Sequence, residues 1–146
     1  MKSLFLRTLQ VVAGSIALFA LPLCAGMGHQ FTLQVPFDFV AGNHQFPAGA
    51  YTITSDASAG TVLIRSEAEG PAAFIVTYPA GENKDQVRVR LTFNRYGDHY
   101  FLSQVWPAGV AGRGLSKSRQ EVEVAKAGSR PEVLSIVASG PRKSQR

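Results

Sequence analysis

Cysteine is almost missing from this chain of 146 residues: Cys24 is the only one. Cleavage after Gly26 would leave no thiol at all, so no disulfide and no thiolate chemistry, and stability must come from packing. Histidine is scarce too. His29, His44 and His99 lie in three separate segments without an i, i+2 or i, i+4 partner, a pattern that gives no zinc site and no expectation of a metal. The chain has no Gly-x-Ser-x-Gly and no Gly-Lys-Ser/Thr, which removes the nucleophile elbow and the phosphate loop. Asp98 and His99 are adjacent, and neighbours on a strand point to opposite faces, which is poor dyad geometry. Asp38, Asp56 and Asp85 each stand beside a turn, where aspartate commonly serves the backbone. No catalytic residue and no cofactor are expected. No apolar run after residue 26 is long enough to span a bilayer, which takes about 20 residues.

What is present begins at the N-terminus. Lys2 and Arg7 precede an apolar stretch from Leu9 to Leu23, and Cys24-Ala25-Gly26 supplies small residues for a cut. That layout predicts a secretory signal peptide over residues 1–26 and a periplasmic or secreted product. Lipid anchoring at Cys24 is disfavoured, because Leu23 and Pro22 stand where a lipobox wants small residues. The formal charge of +5 comes from the two ends. Without Lys2, Arg7, Arg142, Lys143 and Arg146, ten basic residues face ten acidic ones. A neutral middle argues against a nucleic-acid partner.

Periodicity predicts an all-β domain over residues 27–138, mainly antiparallel, a small sandwich or partly open barrel with one short helix near the C-terminus. Phe31, Leu33, Val35, Phe37 and Phe39 alternate with mostly polar residues as one half-buried strand. Pro36 places that strand at an edge or breaks it in two. Pro47 and Gly49 mark a turn, with Gly49 expected in the left-handed region. Short strands follow at 51–54, 61–65 and 73–78, then a polar loop over 79–85. The glycine-rich stretch 107–114 reads as a flexible connection. Ser118 with Glu121 forms a capping-box pattern, and Gly128 can stop a helix, which predicts a helix over Arg119–Ala127. Alternation at Val122 and Val124 would fit a strand instead. Residues 132–138 read as a last strand buried on both faces, followed by a disordered basic tail over 139–146.

The clearest signal is the hairpin Gln86–Trp106, turned at Arg95-Tyr96-Gly97-Asp98. In its first arm Val87, Val89, Leu91 and Phe93 alternate with Arg88, Arg90, Thr92 and Asn94, an apolar face against a wet one. Arg88, Arg90, Arg95, Tyr96 and Trp106 form the one candidate ligand-binding constellation, suited by charge and aromatic stacking to an anionic polymer or a sugar. The same arginines are also suited to pairing with acidic residues on neighbouring strands.

Val35-Pro36-Phe37-Asp38-Phe39, Phe46-Pro47-Ala48-Gly49-Ala50-Tyr51, Phe93-Asn94-Arg95-Tyr96-Gly97-Asp98, Tyr100-Phe101-Leu102 and Ser116-Lys117-Ser118-Arg119-Gln120-Glu121 resemble a group of small uncharacterised exported β proteins of environmental bacteria. The resemblance implies a signal peptide and a compact β domain, and no activity. The functional expectation is a non-enzymatic envelope binding or structural module, its partner an envelope polymer or another envelope protein. The alternatives are a small envelope hydrolase and a polyanion- or sugar-binding protein.

Overall fold

The computed structural model describes residues 28–85 and 87–139. The expected signal peptide and basic tail lie outside these residues, save Ser139, which ends the last strand. The chain forms ten strands and one helix among the described residues. The strand that begins at residue 29 does break at Pro36, into β1 (His29–Val35) and β2 (Phe39–Ala41). β1 pairs only with β4 (Gly49–Asp56) and is an edge as well, so both consequences of the proline are realised. β4 pairs with β5 (Thr61–Ser66), and β5 with the first half of β6 (Ala72–Glu82), all antiparallel.

β6 then leaves that layer. From Thr77 onward it pairs with β9 (Ala111–Leu115), with a register shift between Pro79 and Gly81 that accommodates the proline. β9 adjoins β8 (His99–Trp106), and β8 runs antiparallel along β7 (Arg88–Tyr96), which carries β10 (Glu132–Ser139) on its far side. β2 lies parallel to β8 at Val40 and Phe101, with β3 (His44–Phe46) outside it. The result is an all-β, sandwich-like, mixed sheet folded over one core and not closed into a barrel. No helix among the described residues is long and apolar enough to cross a membrane.

The core is built by the period-two residues. Phe31, Leu33 and Val35 meet Tyr51 and Ile53, Val62 and Ile64, and across the fold Val89, Leu91 and Phe93. Aromatic rings concentrate around Phe39, which stacks on Phe46 at 5.1 Å and takes Tyr51 and Phe93 edge-on. Full burial of each such side chain is worth about 1.5–3 kcal/mol. The hydroxyl of Tyr51 donates to the carbonyl of Pro47, so the buried phenol is satisfied.

Three local expectations change. Gly49 opens β4 without a positive φ; the turn relies on Pro47 and on Asp38, whose Oδ1 accepts from the Ala48 amide at 2.8 Å. β10 is a sheet edge rather than a strand buried on both faces: Ile136 and Ala138 pack on the core, while Val133 and Val137 are exposed. The glycine-rich stretch is not a flexible connection throughout, because residues 111–115 form β9, between β6 and β8. The helix, α1 (Arg119–Lys126), forms as expected. Ser118 Oγ accepts from the Glu121 amide at 3.0 Å, and Gly128 follows the last turn at φ 89°.

Candidate binding surface

On β9 the inward positions are Arg113 and Leu115, both buried, and the outward ones are Gly112 and Gly114. Glycine at two successive positions on one strand face costs stability unless another group needs the space. Here the groups are aromatic. A Cβ on Gly112 would overlap the six-membered ring of Trp106, and one on Gly114 would overlap the ring of Tyr78. Trp106 therefore leans in from β8 and Tyr78 from β6, onto sites two residues, roughly 7 Å, apart along the strand. Between them Gln104 pairs with Gly114 across the sheet, and its Oε1 accepts from Trp106 Nε1 at 3.2 Å. The Arg90 guanidinium lies over the Trp106 ring, 5.0 Å from its centroid.

α1 covers part of the same outer face. Val124 and Ala125 pack on Val40, Tyr96 and Phe101, a small second core. The helix brings in Glu121, only 2% exposed. Its Oε1 accepts from Asn94 Nδ2 at 2.9 Å and from the Tyr96 hydroxyl at 3.2 Å. Burial first, then the neighbouring Glu121 carboxylate, raises the Tyr96 phenol above its ordinary pKa of 10.0. Glu121 completes only half of the capping box, since its side chain turns to the sheet instead of the Ser118 amide.

Where the helix stops short, a groove of about 320 Å³ remains, lined among others by Tyr78, Thr92, Asn94, Gln104, Lys117 and Glu121. Lys117 also borders a second depression of about 250 Å³ beside Phe74 and Val76. Phe74, Val76 and Tyr78 are 73%, 81% and 50% exposed. They alternate along β6, so they form one apolar strip leading into the groove.

The five residues singled out from sequence are divided. Arg88, Arg90 and Trp106 do gather at the open end of the β7–β8 hairpin, with Arg88 held by Asp85 at 3.9 Å. Tyr96 is 3% exposed beneath α1 and belongs to the helix contact, not to a ligand surface. Arg95 lies at the turn end, about 17 Å from Arg90 along the strand. Its position is on the opposite face, where it pairs with Glu132 at 3.7 Å and approaches the Tyr100 ring at 5.5 Å. The first-arm alternation also fails locally: Thr92 is buried, and Val87 is exposed. Tyr78, Asn94, Gln104, Lys117 and Glu121 were missed. The available signals were the Phe74, Val76, Tyr78 alternation and the Gly-Arg-Gly spacing of β9.

Elsewhere the turn aspartates serve the backbone as their positions implied. Asp56 Oδ1 accepts from the amides of Ser58 and Ala59, and Asp85 Oδ1 from those of Val87 and Arg88. The Ser58 hydroxyl, which donates to Asp56 Oδ1 at 2.6 Å, and then the Ala59 and Ser58 amides hold the Asp56 carboxyl below the usual 3.8, and the Val87 and Arg88 amides do the same for Asp85. The histidines sit on β1, β3 and β8, and no group of three His, Cys, Asp or Glu assembles among the described residues.

Comparison with protein-family models, with curated proteins and with solved structures found no match for this chain.

Proposed function

We propose that this protein is an exported, non-enzymatic binding module of the cell envelope, and that it engages its partner through the outer face of β6, β9, β8 and β7. The observation that carries this reading is the pair of rings, Tyr78 and Trp106, set over Gly114 and Gly112 on an exposed sheet face. A strand that gives up two side chains so that two aromatics can spread over it maintains a shaped surface. Export is supported by Lys2 and Arg7, the apolar run 9–23 and the small residues before position 27. The resemblance of the sequence to small exported β proteins implies the same. The turn aspartates, each occupied by main-chain amides, favour a binding role over hydrolysis. The test is sedimentation of the purified full exported chain with cell-wall and outer-membrane preparations. Saturable binding that falls at least fivefold in Tyr78→Ala is expected. Binding to none of the preparations, or binding indifferent to Tyr78→Ala, would overturn the assignment.

A further inference from the structure

Resting on that surface as the binding site, we infer that its ligand is an acidic saccharide: a short stretch of a glycan bearing carboxylates. Three features of the face converge on this chemistry. A pyranose has apolar C–H faces and a rim of hydroxyls, so it needs exposed ring faces beside planar hydrogen-bonding groups. Tyr78, half exposed, provides the first, with the partly buried indole of Trp106 beside it, while the side-chain amides of Gln104 and Asn94 provide the second. All of these lie on strands, whose backbone fixes their spacing.

The arrangement follows two rows across the sheet. Tyr78, Gly114, Gln104 and Thr92 are successive register partners and form one row. Trp106 and Arg90 are partners in the next, with Gly112 beneath the Trp106 ring. Lys117 lies beyond the first row, on the side away from the second. The face is therefore several strand residues long, on the order of 15 Å, which suits an oligosaccharide better than a single sugar.

Charge supplies the third feature. Among the described residues Arg88 pairs with Asp85 and Arg95 with Glu132, whereas neither Arg90 nor Lys117 has an ion-pair partner. Arg90 has no hydrogen bond within the described chain either; it lies over the Trp106 ring, with the Asp85 carboxylate near enough to feel its charge. A guanidinium kept there retains N–H donors suited to a carboxylate. The one acid of the groove, Glu121, is buried and already accepts from Asn94 and Tyr96. Arg90 and Lys117, without an ion-pair partner among the described residues, thus flank an aromatic and amide-lined centre, a match for carboxylates carried on a sugar backbone.

Trp106 is the only tryptophan, so its fluorescence reads this face directly. The full exported chain is titrated at low salt with oligogalacturonate, with the same oligosaccharide after reduction of its carboxyls to alcohols, and with polyglutamate. The inference expects a saturable change in Trp106 emission with oligogalacturonate, at least tenfold weaker with the reduced form and with polyglutamate. Arg90→Gln and Lys117→Gln should each weaken it by about threefold to fivefold, the range for single exposed charge pairs, and Tyr78→Ala by about tenfold. These side chains are surface groups, so the variants should melt with the parent. Equal binding of the reduced form, with Arg90→Gln and Lys117→Gln silent, overturns the acidic preference and leaves the groove as the site. Equal binding of polyglutamate overturns the saccharide. No response to any of the three overturns the inference. If envelope sedimentation also survives Tyr78→Ala, the surface itself is wrong.

Discussion

Replacing Glu121 with alanine should be the most damaging single change on the outer face, and the structure sets the size of the effect. The carboxylate accepts two hydrogen bonds, from Asn94 and from the buried Tyr96 hydroxyl. Hydrogen bonds to a charged partner contribute about 1.5–3 kcal/mol each. Truncation leaves the Tyr96 hydroxyl unpaired beneath α1, at about 1–3 kcal/mol. Relief from burying a carboxylate offsets part of the sum. The net expectation is a loss of about 3 kcal/mol, which for a domain of this size lowers Tm by roughly 12 °C. Glu121→Gln keeps an acceptor at the same place, so it should cost about 1 kcal/mol. Ser118→Ala, which removes only the cap, should also cost about 1 kcal/mol. Urea unfolding followed by Trp106 fluorescence and by far-ultraviolet circular dichroism measures all three. Coincident transitions are required for a two-state reading. If Glu121→Ala stays within about 0.5 kcal/mol of the parent, the carboxylate is not what ties the helix to the sheet. If Gln is as damaging as Ala, the charge itself carries the effect, and the hydrogen-bond account fails.

Gly112→Ala should displace the Trp106 ring, shift its emission, and cost about 1–3 kcal/mol as an overpacked site; unchanged emission would show that the ring does not depend on the missing Cβ. Tyr51 and Tyr96 both hold their protons more tightly in the fold than their ordinary 10.0. Their contribution is therefore complete below pH 10 and is lost as pH rises through the folded values. Urea midpoints should fall above pH 10, and less steeply in Tyr96→Phe, with an identical slope counting against the assignment. Asp56 is shifted the other way. Its contribution is present above 3.8 and lost as pH falls through the lower folded value. Asp56→Asn should flatten that part of the acid limb in a urea-midpoint profile, and an unaltered limb would refute the role of the hydrogen bonds it accepts from the Ser58 hydroxyl and the Ser58 and Ala59 amides.

Most of the fold was legible because period-two alternation reports a sheet with one buried face. Phe31, Leu33 and Val35, then Val89, Leu91 and Phe93, point inward as their spacing requires. The helix was legible from Ser118 and Gly128 because caps satisfy main-chain groups locally, without help from the rest of the chain. What escaped was set by contacts distant in sequence. Thr92 and Tyr96 sit at positions that alternation assigns to water, yet Tyr96 is covered by a helix more than twenty residues later. β9 escaped because its outward side chains are absent: Gly112 and Gly114 carry no pattern until Trp106 and Tyr78 are seen to occupy their space. The arginines of the hairpin looked equivalent, yet Arg88 has an acidic partner in Asp85, and Arg95 lies at the turn end on the opposite face with Glu132.

The same competition explains where the groove lies. The layer β6–β9–β8–β7 has its inner face on the core, so its outer face is exposed unless another element covers it. α1 is only eight residues long, about 12 Å, too short to cover four strands. It seals Val40, Tyr96 and Phe101 and ends. Beyond it, burial could have been completed by large aliphatic side chains on β9, which would have made a thicker and featureless sheet. Glycines stand there instead, with rings folded over them and the amide of Gln104 locked between. A surface that only needed to be soluble would be served by lysine and glutamate at Tyr78, Gly112 and Gly114, with better strand packing and fewer exposed rings. The boundary between the sealed and unsealed halves of this face thus combines local strand weakness, the exposed ring of Tyr78 and two cations, Arg90 and Lys117, without an ion-pair partner among the described residues. That combination is not what folding alone would select, and it places the proposed ligand at Tyr78 and Trp106 and not at the hairpin turn.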